Sequence, residues 1–434
     1  MKYHIWTVGC QMNVADSCKL AAGLDRAGCD AVDAIEDADL VVLNTCSVRE
    51  HAEDRAVGQL GRLKKMRRNG RTMKIAVMGC MVGPKHDDLR KRFPYVDAFA
   101  RPQDFAPIME IAGLDDGGGE FWPSTFAQPE GVTAFVPVIH GCDKFCTYCI
   151  VPYRRGREKS RTVEDIRNEV EHYCARGVKE VTLLGQTVEA YGLDFDAGNA
   201  GETSARPDLG DLMRAISDVP GLERIRFLTS YPKDMTARII DAVADLPKVC
   251  ENFNIPVQAG DDAMLQRMRR GYTLDEYLAK FEMVRTRIPD AAMVTDIIVG
   301  FCGETDAEFQ RTYDLLGRLR FDKVHVAAYS PRPGTIAHRT MADDVPDTVK
   351  QERRLAIEQL EARVSSEINA RLLDSEQEVL VESQREGRWS GRNRLGKLVH
   401  FAGDASTGDL VRVRIERTTA WSLQGTALPA QVSA

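Results

Sequence analysis

Three cysteines lie close together near the middle of the chain, with the spacing Cys-x3-Cys-x2-Cys: Cys142, Cys146 and Cys149. A structural zinc site needs four closed ligands, and no fourth Cys or His follows Cys149 at ligand spacing. Three thiolates can instead bind three irons of a 4Fe-4S cluster and leave the fourth iron open to an external ligand. This central cysteine set therefore predicts an iron-sulfur centre with one open position. A zinc knuckle and three incidental thiols are the alternatives.

Three further cysteines, the N-terminal cysteine set, each follow a predicted strand: Cys10, Cys46 and Cys80 come after residues 3–8, 40–44 and 74–78. The helical segments between these strands make a βαβ pattern, which indicates an open parallel sheet. In such a sheet the carboxyl ends of the strands lie on one edge, where ligands bind. We therefore predict a second three-thiolate site. Three buried structural thiols are the alternative, because free cysteines are often buried.

The rest of the pattern defines an α/β chain with four parts. Residues 1–112 form the N-terminal open parallel sheet, and residues 113–133, rich in Gly and Asp, are a linker. Six strand-helix units in residues 134–372 predict a partial (βα)6 barrel whose site lies at the carboxyl ends of its strands. Within this part, residues 192–207 are expected to be a loop insertion, and residues 348–372 a long connecting helix with a solvated charged face. Residues 373–434 predict a small antiparallel β-barrel.

That small barrel carries a basic and aromatic surface, which suits contact with single-stranded nucleic acid. Its basic residues are Arg385, Arg388, Arg392, Arg394, Lys397, Arg412, Arg414 and Arg417, with Trp389, Phe401 and Trp421 between them. The alternative is that the arginines only solvate a small domain whose aromatic side chains form its core.

Composition limits the function classes. The 434 residues have a formal net charge of -7, which argues against a chain that is basic overall, although a local patch remains compatible with it. Eleven cysteines in a chain that we expect to be cytoplasmic indicate metal or redox chemistry rather than disulfides. No apolar run is long enough to span a bilayer, and no secretory leader pattern is visible at the N-terminus.

The cysteine motifs and their surroundings resemble the MiaB-type methylthiotransferases, radical S-adenosylmethionine (SAM) enzymes that modify tRNA. The resemblance extends along nearly the whole chain. Its main segments are residues 9–13, 44–50, 79–81, 141–158, 183–186, 256–258, 267–272, 296–300, 329–335 and 420–423.

The resemblance implies two 4Fe-4S clusters, one on each cysteine set, with SAM bound to the open iron of the central one. It also implies SAM binding by Gly185, Gln186, Gly300 and Glu304, and a C-terminal TRAM domain that binds the anticodon loop of tRNA. The implied reaction inserts sulfur at C2 of N6-isopentenyladenosine at position 37, by radical chemistry, and methylates it with a second SAM. Breaking an aromatic C-H bond is beyond side-chain acid-base chemistry, so the cofactors must carry it. An electron donor protein is expected as a partner, and the chain is expected to be monomeric and not membrane-bound.

Two related substrates remain as alternatives: threonylcarbamoyladenosine in tRNA, and an aspartate of a ribosomal protein. Gln11, Met12 and Asn13 favour the isopentenyl type. A nonenzymatic iron-sulfur protein that binds RNA is a further alternative, but it would have no use for an open iron. The chain departs from the family pattern at residues 82–83, Thr187, Tyr231 and Cys302, none of them a predicted cluster ligand. Cys18, Cys29, Cys174 and Cys250 are interpreted as structural.

Overall fold

The computed structural model describes residues 1–47, 50–114, 129, 131–195 and 206–429. Residues 48 and 49 of the motif after Cys46, most of the predicted linker and residues 196–205 of the predicted loop insertion lie outside these ranges. None of the helices in the described ranges has the length and apolar character needed to cross a membrane.

The N-terminal part is a parallel sheet with helices on its faces. Its strands are β1 (Lys2–Thr7), β2 (Asp30–Ala31), β3 (Leu40–Thr45), β4 (Lys74–Gly79) and β5 (Ala98–Ala100), in the order β2-β1-β3-β4-β5. Its helices are α1 (Gln11–Arg26), α2 (Glu50–Arg68), α3 (Asp87–Arg92) and α4 (Ala106–Ala112). Strand β3 is buried along its whole length, as expected for a central parallel strand covered on both faces. The predicted open parallel sheet is therefore confirmed, with the short edge strands β2 and β5 as additions.

The middle part is the predicted partial barrel. Its strands and helices are β6 (Thr133–Pro137), β7 (Ile139–His140), α5 (Val151–Arg155), β8 (Lys159–Ser160), α6 (Val163–Cys174), β9 (Glu180–Leu184), α7 (Leu209–Ser217), β10 (Arg224–Leu228), α8 (Ala237–Asp245), β11 (Asn252–Asn254), α9 (Asp262–Arg267), α10 (Leu274–Arg287), β12 (Ala292–Val299), α11 (Asp306–Leu319), β13 (Lys323–Ala328), α12 (Ile336–Thr340) and α13 (Asp347–Ala370). Two three-stranded parallel sheets, β6-β9-β10 and β11-β12-β13, are joined by a parallel bridge between Ile225 and Val249. This is a six-stranded open barrel, as predicted.

Local sequence explains where the barrel helices begin. Side-chain oxygens of Thr or Asp cap their first turns and accept a hydrogen bond from a backbone N–H three residues on. Seven of the described helices have such a cap, from Thr162, Asp208, Thr236, Asp261, Thr273, Thr305 and Thr335. The caps thereby fix where these helices begin, and the segments between the strand ends and the helices lie at the carboxyl ends of the strands, around the mouth of the barrel.

The C-terminal part is a closed five-stranded barrel of β14 (Glu376–Arg385), β15 (Arg388–Asn393), β16 (Leu398–Ala402), β17 (Leu410–Thr418) and β18 (Ser422–Ala427). Its core contains Val379, Val399, Phe401, Val413 and Leu423. The small β-barrel is confirmed, with one departure from a purely antiparallel arrangement. Strands β16 and β18 pair in parallel, because β17 crosses to the far side of β18 before the chain returns.

The small barrel docks on the amino ends of the middle strands, away from the mouth. Arg224, at the start of β10, is fully buried and donates hydrogen bonds to the carbonyl oxygens of Arg392 (2.7 Å) and Glu378 (3.0 Å). Lys397 binds Asp322, just before β13, at 2.6 Å. A strand of about five residues spans roughly 17 Å, so at least that distance separates the docking surface from the mouth.

Candidate functional site

The N-terminal cysteine set lies at the carboxyl edge of the first sheet. Cys10 precedes α1, Cys46 directly follows β3 and Cys80 directly follows β4. Strands β1, β3 and β4 are neighbours, so topology alone brings the three loops together. Burial raises the pKa of the Cys80 thiol to about 11; the charge of Arg155 opposes this rise, and negative charge on Cys46 and Cys10 contributes to it.

A pair of buried asparagines holds these loops. Asn13 donates hydrogen bonds to the Asn44 side chain (2.8 Å) and to the Thr45 carbonyl oxygen (3.0 Å), and Asn44 donates back to the Asn13 carbonyl oxygen (2.7 Å). The Cys10 thiol donates to the Asn13 Oδ1 (3.3 Å). At Gly79, with φ of +95°, a Cβ would collide with the Thr45 carbonyl oxygen, so only glycine allows β4 to end this close to β3. The asparagine pair thus fixes two cysteine-bearing loops relative to each other.

The central cysteine set lies in the loop that follows β7. Cys142 and Cys146 are buried and Cys149 is half-buried. Burial, with a smaller effect of negative charge on Cys146, raises the pKa of Cys142 and of Cys149 to about 12. At Gly141, with φ of +76°, a Cβ would collide with the Arg157 carbonyl oxygen, so this turn also requires glycine. Thiols with a pKa this high are protonated at neutral pH. They become ligands when a positive charge stabilises the thiolate or when a bound metal displaces the proton.

A buried arginine contacts the central cysteine set. Arg270 donates hydrogen bonds from Nη1 to the Cys146 Sγ (3.4 Å) and the Tyr148 hydroxyl (3.2 Å), and from Nη2 to the Pro256 carbonyl oxygen (2.9 Å). Its Nε donates to the Tyr272 hydroxyl (2.9 Å). A charge-assisted hydrogen bond favours the thiolate over the thiol, so Arg270 opposes the effect of burial on this set.

A second buried arginine connects the two sets. Arg155, in helix α5 shortly after Cys149, donates a hydrogen bond to Asp16 of α1 (2.8 Å), and both side chains are almost fully buried. Arg155 also interacts with the thiols of Cys80 and Cys10, and it is one of the charges that lower the pKa of His140, for which burial is the main cause. Arg155 follows Cys149 by six positions in the chain, so it ties the segment that carries the central set to the N-terminal sheet.

The two donor sets have the chemistry of iron-sulfur ligands, since Cys thiolates are the usual ligands of such clusters. Among the described residues, no three His, Cys, Asp or Glu side chains are arranged to hold a single metal ion. A cluster places each thiolate on a different iron, which keeps the sulfurs further apart than one ion would. Each set supplies three thiols, one short of the four protein ligands that a closed cluster takes, and so leaves one iron for another ligand.

The four residues predicted to bind SAM lie at the carboxyl ends of β9 and β12. At Gly185, a Cβ would lie 2.5 Å from the Ile139 side chain, so a side chain here would push apart the strands at the mouth. The Gln186 Oε1 is buried and has no hydrogen-bond partner in the described part of the chain, so it can accept from a bound ligand.

Gly300 and Glu304 share the turn after β12. The Glu304 carboxylate accepts hydrogen bonds from the Gly300 backbone N–H (2.6 Å) and from Arg353 of α13 (2.8 Å). Gly300 itself packs against the Lys350 side chain. These contacts favour a role for Glu304 in shaping the turn, and direct contact of either residue with SAM stays a prediction.

Two further charged groups at the mouth have no counterpart in the sequence predictions. Lys144, within the central loop, binds Asp234 at 2.6 Å and approaches Glu158 at 3.7 Å. Glu189 is buried, and its carboxylate accepts a hydrogen bond from the Tyr231 backbone N–H (3.2 Å), while burial raises its pKa to about 7. The signal that could have identified them is a charged residue within a few positions of a strand's carboxyl end.

The basic surface of the small barrel is smaller than the sequence suggests. Arg394 binds Glu251 (2.6 Å), and with Lys397 it belongs to the docking surface. Phe401 is a core residue and Trp389 is half-buried, so of the three aromatic side chains only Trp421 is exposed. The exposed basic residues are Arg385, Arg388, Arg392, Arg412, Arg414 and Arg417, of which Arg392 and Arg412 lie against Glu382 and Glu376.

Three family descriptions match the chain. Residues 136–316 match the radical SAM superfamily, residues 2–100 match Uncharacterized protein family UPF0004, and residues 371–428 match the TRAM domain.

Curated relatives match over almost the full length. A protein of Dehalococcoides mccartyi (strain CBDB1) is 44% identical over 97% of this chain and 97% of its own, and one of Roseiflexus sp. (strain RS-1) is 44% identical over 98% and 89%. A protein of Thermoanaerobacter pseudethanolicus (strain ATCC 33223 / 39E) is 41% identical over 98% and 92%. All three are named tRNA-2-methylthio-N(6)-dimethylallyladenosine synthase.

Solved structures share the fold at low identity. The radical SAM methyltransferase TsrM from Kitasatospora setae, with cobalamin and a [4Fe-4S] cluster bound, has a TM-score of 0.56 at 14% identity, over 78% of this chain and 77% of its own. The cobalamin-dependent SAM radical enzyme OxsB has a TM-score of 0.53 at 12% identity, over 82% and 56%. At these identities, the match concerns the fold alone.

Proposed function

This chain belongs to the tRNA-2-methylthio-N(6)-dimethylallyladenosine synthase family, and we propose that it replaces the hydrogen at C2 of N6-isopentenyladenosine, at position 37 of tRNA, with a methylthio group. N6-isopentenyl and N6-dimethylallyl denote the same substituent. The observation that carries the proposal is the pair of three-thiol sets joined by Arg155 on a chain with full-length relatives of this name. The reaction takes place in the cytoplasm, where tRNA is found.

Some residues would bind the cofactors and others would bind the substrate. Cys142, Cys146 and Cys149 would bind one 4Fe-4S cluster, and Cys10, Cys46 and Cys80 the other. When bound, the two clusters and SAM supply the electron, the radical, the sulfur and the methyl group that no side chain can provide. The protein's own contribution is to orient these groups at the mouth and to exclude water.

Several side chains have orienting roles in this proposal. Gln186 offers a buried acceptor to a hydroxyl or amine of SAM. The Glu304 carboxylate holds the Gly300 turn in place, and Lys144 links the central loop to Asp234 beyond β10. The target base belongs to a single-stranded loop, so turning it into the mouth costs less than extracting it from a duplex. The small barrel holds the tRNA through exposed arginines.

The alternative substrates, threonylcarbamoyladenosine and a ribosomal-protein aspartate, are not favoured, because the full-length relatives carry the dimethylallyladenosine name. The chain acts as a monomer in this proposal and takes its electrons from a small donor protein.

Expression in a host whose tRNA carries N6-isopentenyladenosine without the methylthio group tests the substrate. We expect mass spectrometry of the digested tRNA to show methylthio-isopentenyladenosine with the wild-type chain and none with the variant in which Cys142, Cys146 and Cys149 are replaced by Ala. Methylthio-threonylcarbamoyladenosine as the only new nucleoside, or no new nucleoside from protein that carries full iron, would refute the proposal.

A further inference from the structure

A buried guanidinium accompanies each cysteine set, and both come from the middle part of the chain. Arg270 donates to the Cys146 Sγ at 3.4 Å. Arg155 interacts with Cys80, and its Nη1 is buried with no nitrogen or oxygen partner in the residues that the structure describes. Both arginines are more than nine-tenths buried. A guanidinium stays protonated in proteins, so each set is accompanied by a permanent positive charge.

The two guanidiniums differ in whether a carboxylate lies beside them. Asp16 binds Arg155 at 2.8 Å, and its own side chain is fully buried. The partners of Arg270 are a thiol, two tyrosine hydroxyls and a carbonyl oxygen, and no carboxylate in the described residues lies within ion-pair distance of it. A buried carboxylate acts on its surroundings with little screening, so Asp16 partly offsets the charge that Arg155 presents to Cys80.

We propose that Arg155 and Arg270 each raise the reduction potential of the cluster on their own cysteine set, and that Asp16 limits the effect of Arg155. The inference rests on the proposed function, since it requires both sets to carry 4Fe-4S clusters. One-electron reduction takes a cluster from the 2+ to the 1+ core with an electron from an external one-electron donor, and no proton moves. The added negative charge is stabilised by a nearby guanidinium and by a hydrogen bond to a ligand sulfur, which are two of the factors that set cluster potentials.

Two variants of the full chain, used as backgrounds for further substitutions, allow each cluster to be measured by itself. In the first, Cys142, Cys146 and Cys149 are replaced by Ala, so that only the N-terminal set holds iron. In the second, Cys10, Cys46 and Cys80 are replaced by Ala. Iron analysis of each background, about half that of the wild type, tests the cluster assignment itself. A background that retains all its iron, or loses all of it, contradicts the proposed function rather than the role of the arginines.

Anaerobic redox titrations followed by electron paramagnetic resonance then test the arginines. In the first background, we expect R155M to make reduction about tenfold less favourable, which corresponds to about 59 mV downward for one electron, and D16N to shift the potential upward. In the second background, R270M shifts the potential downward, while R155M and D16N shift it less than they do in the first. R155K, which keeps the charge but not the planar fork of donors, falls between wild type and R155M.

A control variant accompanies these titrations, and several results would contradict the inference. Arg167, half-buried on α6 and paired with Glu171 and Asp218, supplies a matched control, because R167M removes a guanidinium that, in the described part of the chain, is paired with carboxylates and not with a thiol. Potentials unchanged by R155M and R270M, shifts of equal size in both backgrounds, or a downward shift with D16N would overturn the inference. If none of the Arg155 and Asp16 variants bound iron in the first background, the pair would be holding the loop rather than tuning a charge, and the inference would also be overturned.

Discussion

Arg353, in helix α13, donates a hydrogen bond of 2.8 Å to the Glu304 carboxylate, which lies 49 positions earlier at the turn after β12. The same carboxylate accepts a hydrogen bond from the Gly300 backbone N–H, so this ion pair links helix α13 to the turn predicted to face SAM. Both side chains are almost fully buried, with 6% of Arg353 and 1% of Glu304 exposed. A buried pair of this kind is costly to break from one side, because the remaining charge stays in the interior.

Replacing Arg353 with Met should therefore destabilise the protein by about 3 to 5 kcal/mol. Burial already raises the pKa of Glu304, and Arg353 opposes that rise, so the lone carboxylate in R353M will tend to take up a proton. Urea unfolding at neutral pH provides the measurement. R354Q is the matched control, since Arg354 is the next residue on the same helix and pairs with Glu358 at a partly exposed site, where a loss of at most about 0.5 kcal/mol is expected. Equal losses in the two variants would contradict the prediction.

Glu189 should make stability depend on pH in the neutral range. Burial raises its pKa from the ordinary value of 4.5 to about 7 in the folded chain. A raised carboxyl pKa favours the protonated form on folding, so its stabilising effect is complete below about pH 4.5 and is lost as the pH rises through 7. E189Q mimics the protonated form. We expect it to match the wild type near pH 4.5 and to exceed it by up to about 3 kcal/mol at pH 8.

Chemical unfolding of both proteins at several pH values measures this difference. E282Q, on the exposed face of α10, is the control and should follow the wild type at every pH. A difference between E189Q and wild type that does not change with pH would show that Glu189 is ionised in the fold.

The two cysteine sets should bind iron independently. Replacing Cys142, Cys146 and Cys149 with Ala should halve the iron of anaerobically reconstituted protein, and adding the same change at Cys10, Cys46 and Cys80 should remove the rest, because each set supplies the thiolates of one cluster. C18A is a suitable control, since Cys18 lies on α1 within a few residues of the N-terminal set but is not a predicted ligand, and its iron content should equal that of the wild type. Full iron in the six-Ala variant would refute the assignment.

The sequence predicts the cysteine loops because their position depends on local pattern and topology. A strand followed by Cys10, Cys46 or Cys80, repeated in a βαβ arrangement, allows essentially one edge for the thiols. The roles of Arg155, Arg270 and Glu304 could not be predicted in this way. Their partners Asp16, Cys146 and Arg353 lie 139, 124 and 49 positions away in the chain. Only tertiary packing shows which of many charged residues is buried against a thiol or a turn.

Charge patterns mislead where tertiary packing buries a charged residue. Helix α13 was expected to present a solvated charged face, yet Lys350, Arg353 and Glu361 are buried in ion pairs. Arg394 belongs to the basic and aromatic sequence pattern that is typical of RNA contact, but it binds Glu251 across the docking surface. Sequence composition gives the number of charges, while the fold decides which of them remain available to a ligand.

The arginines that remain exposed on the small barrel should account for the salt dependence of tRNA binding. Arg385 and Arg388 flank the turn between β14 and β15, and Arg414 and Arg417 lie on β17, all four exposed. Each phosphate contact removed should lower the slope of log affinity against log salt by roughly 0.7 to 0.9, so replacing all four with Gln should weaken binding and reduce the slope by up to about 3.

Binding of tRNA, measured across a salt series, tests this surface against a matched control. That control replaces four arginines on the outer helices of the middle part with Gln, namely Arg167, Arg214, Arg238 and Arg287, so that both variants lose the same net charge. Because the small barrel docks away from the mouth, the first variant should keep its full iron content and lose affinity alone. The same affinity and slope in both variants would show that the barrel arginines only solvate the surface, and that the tRNA is held elsewhere.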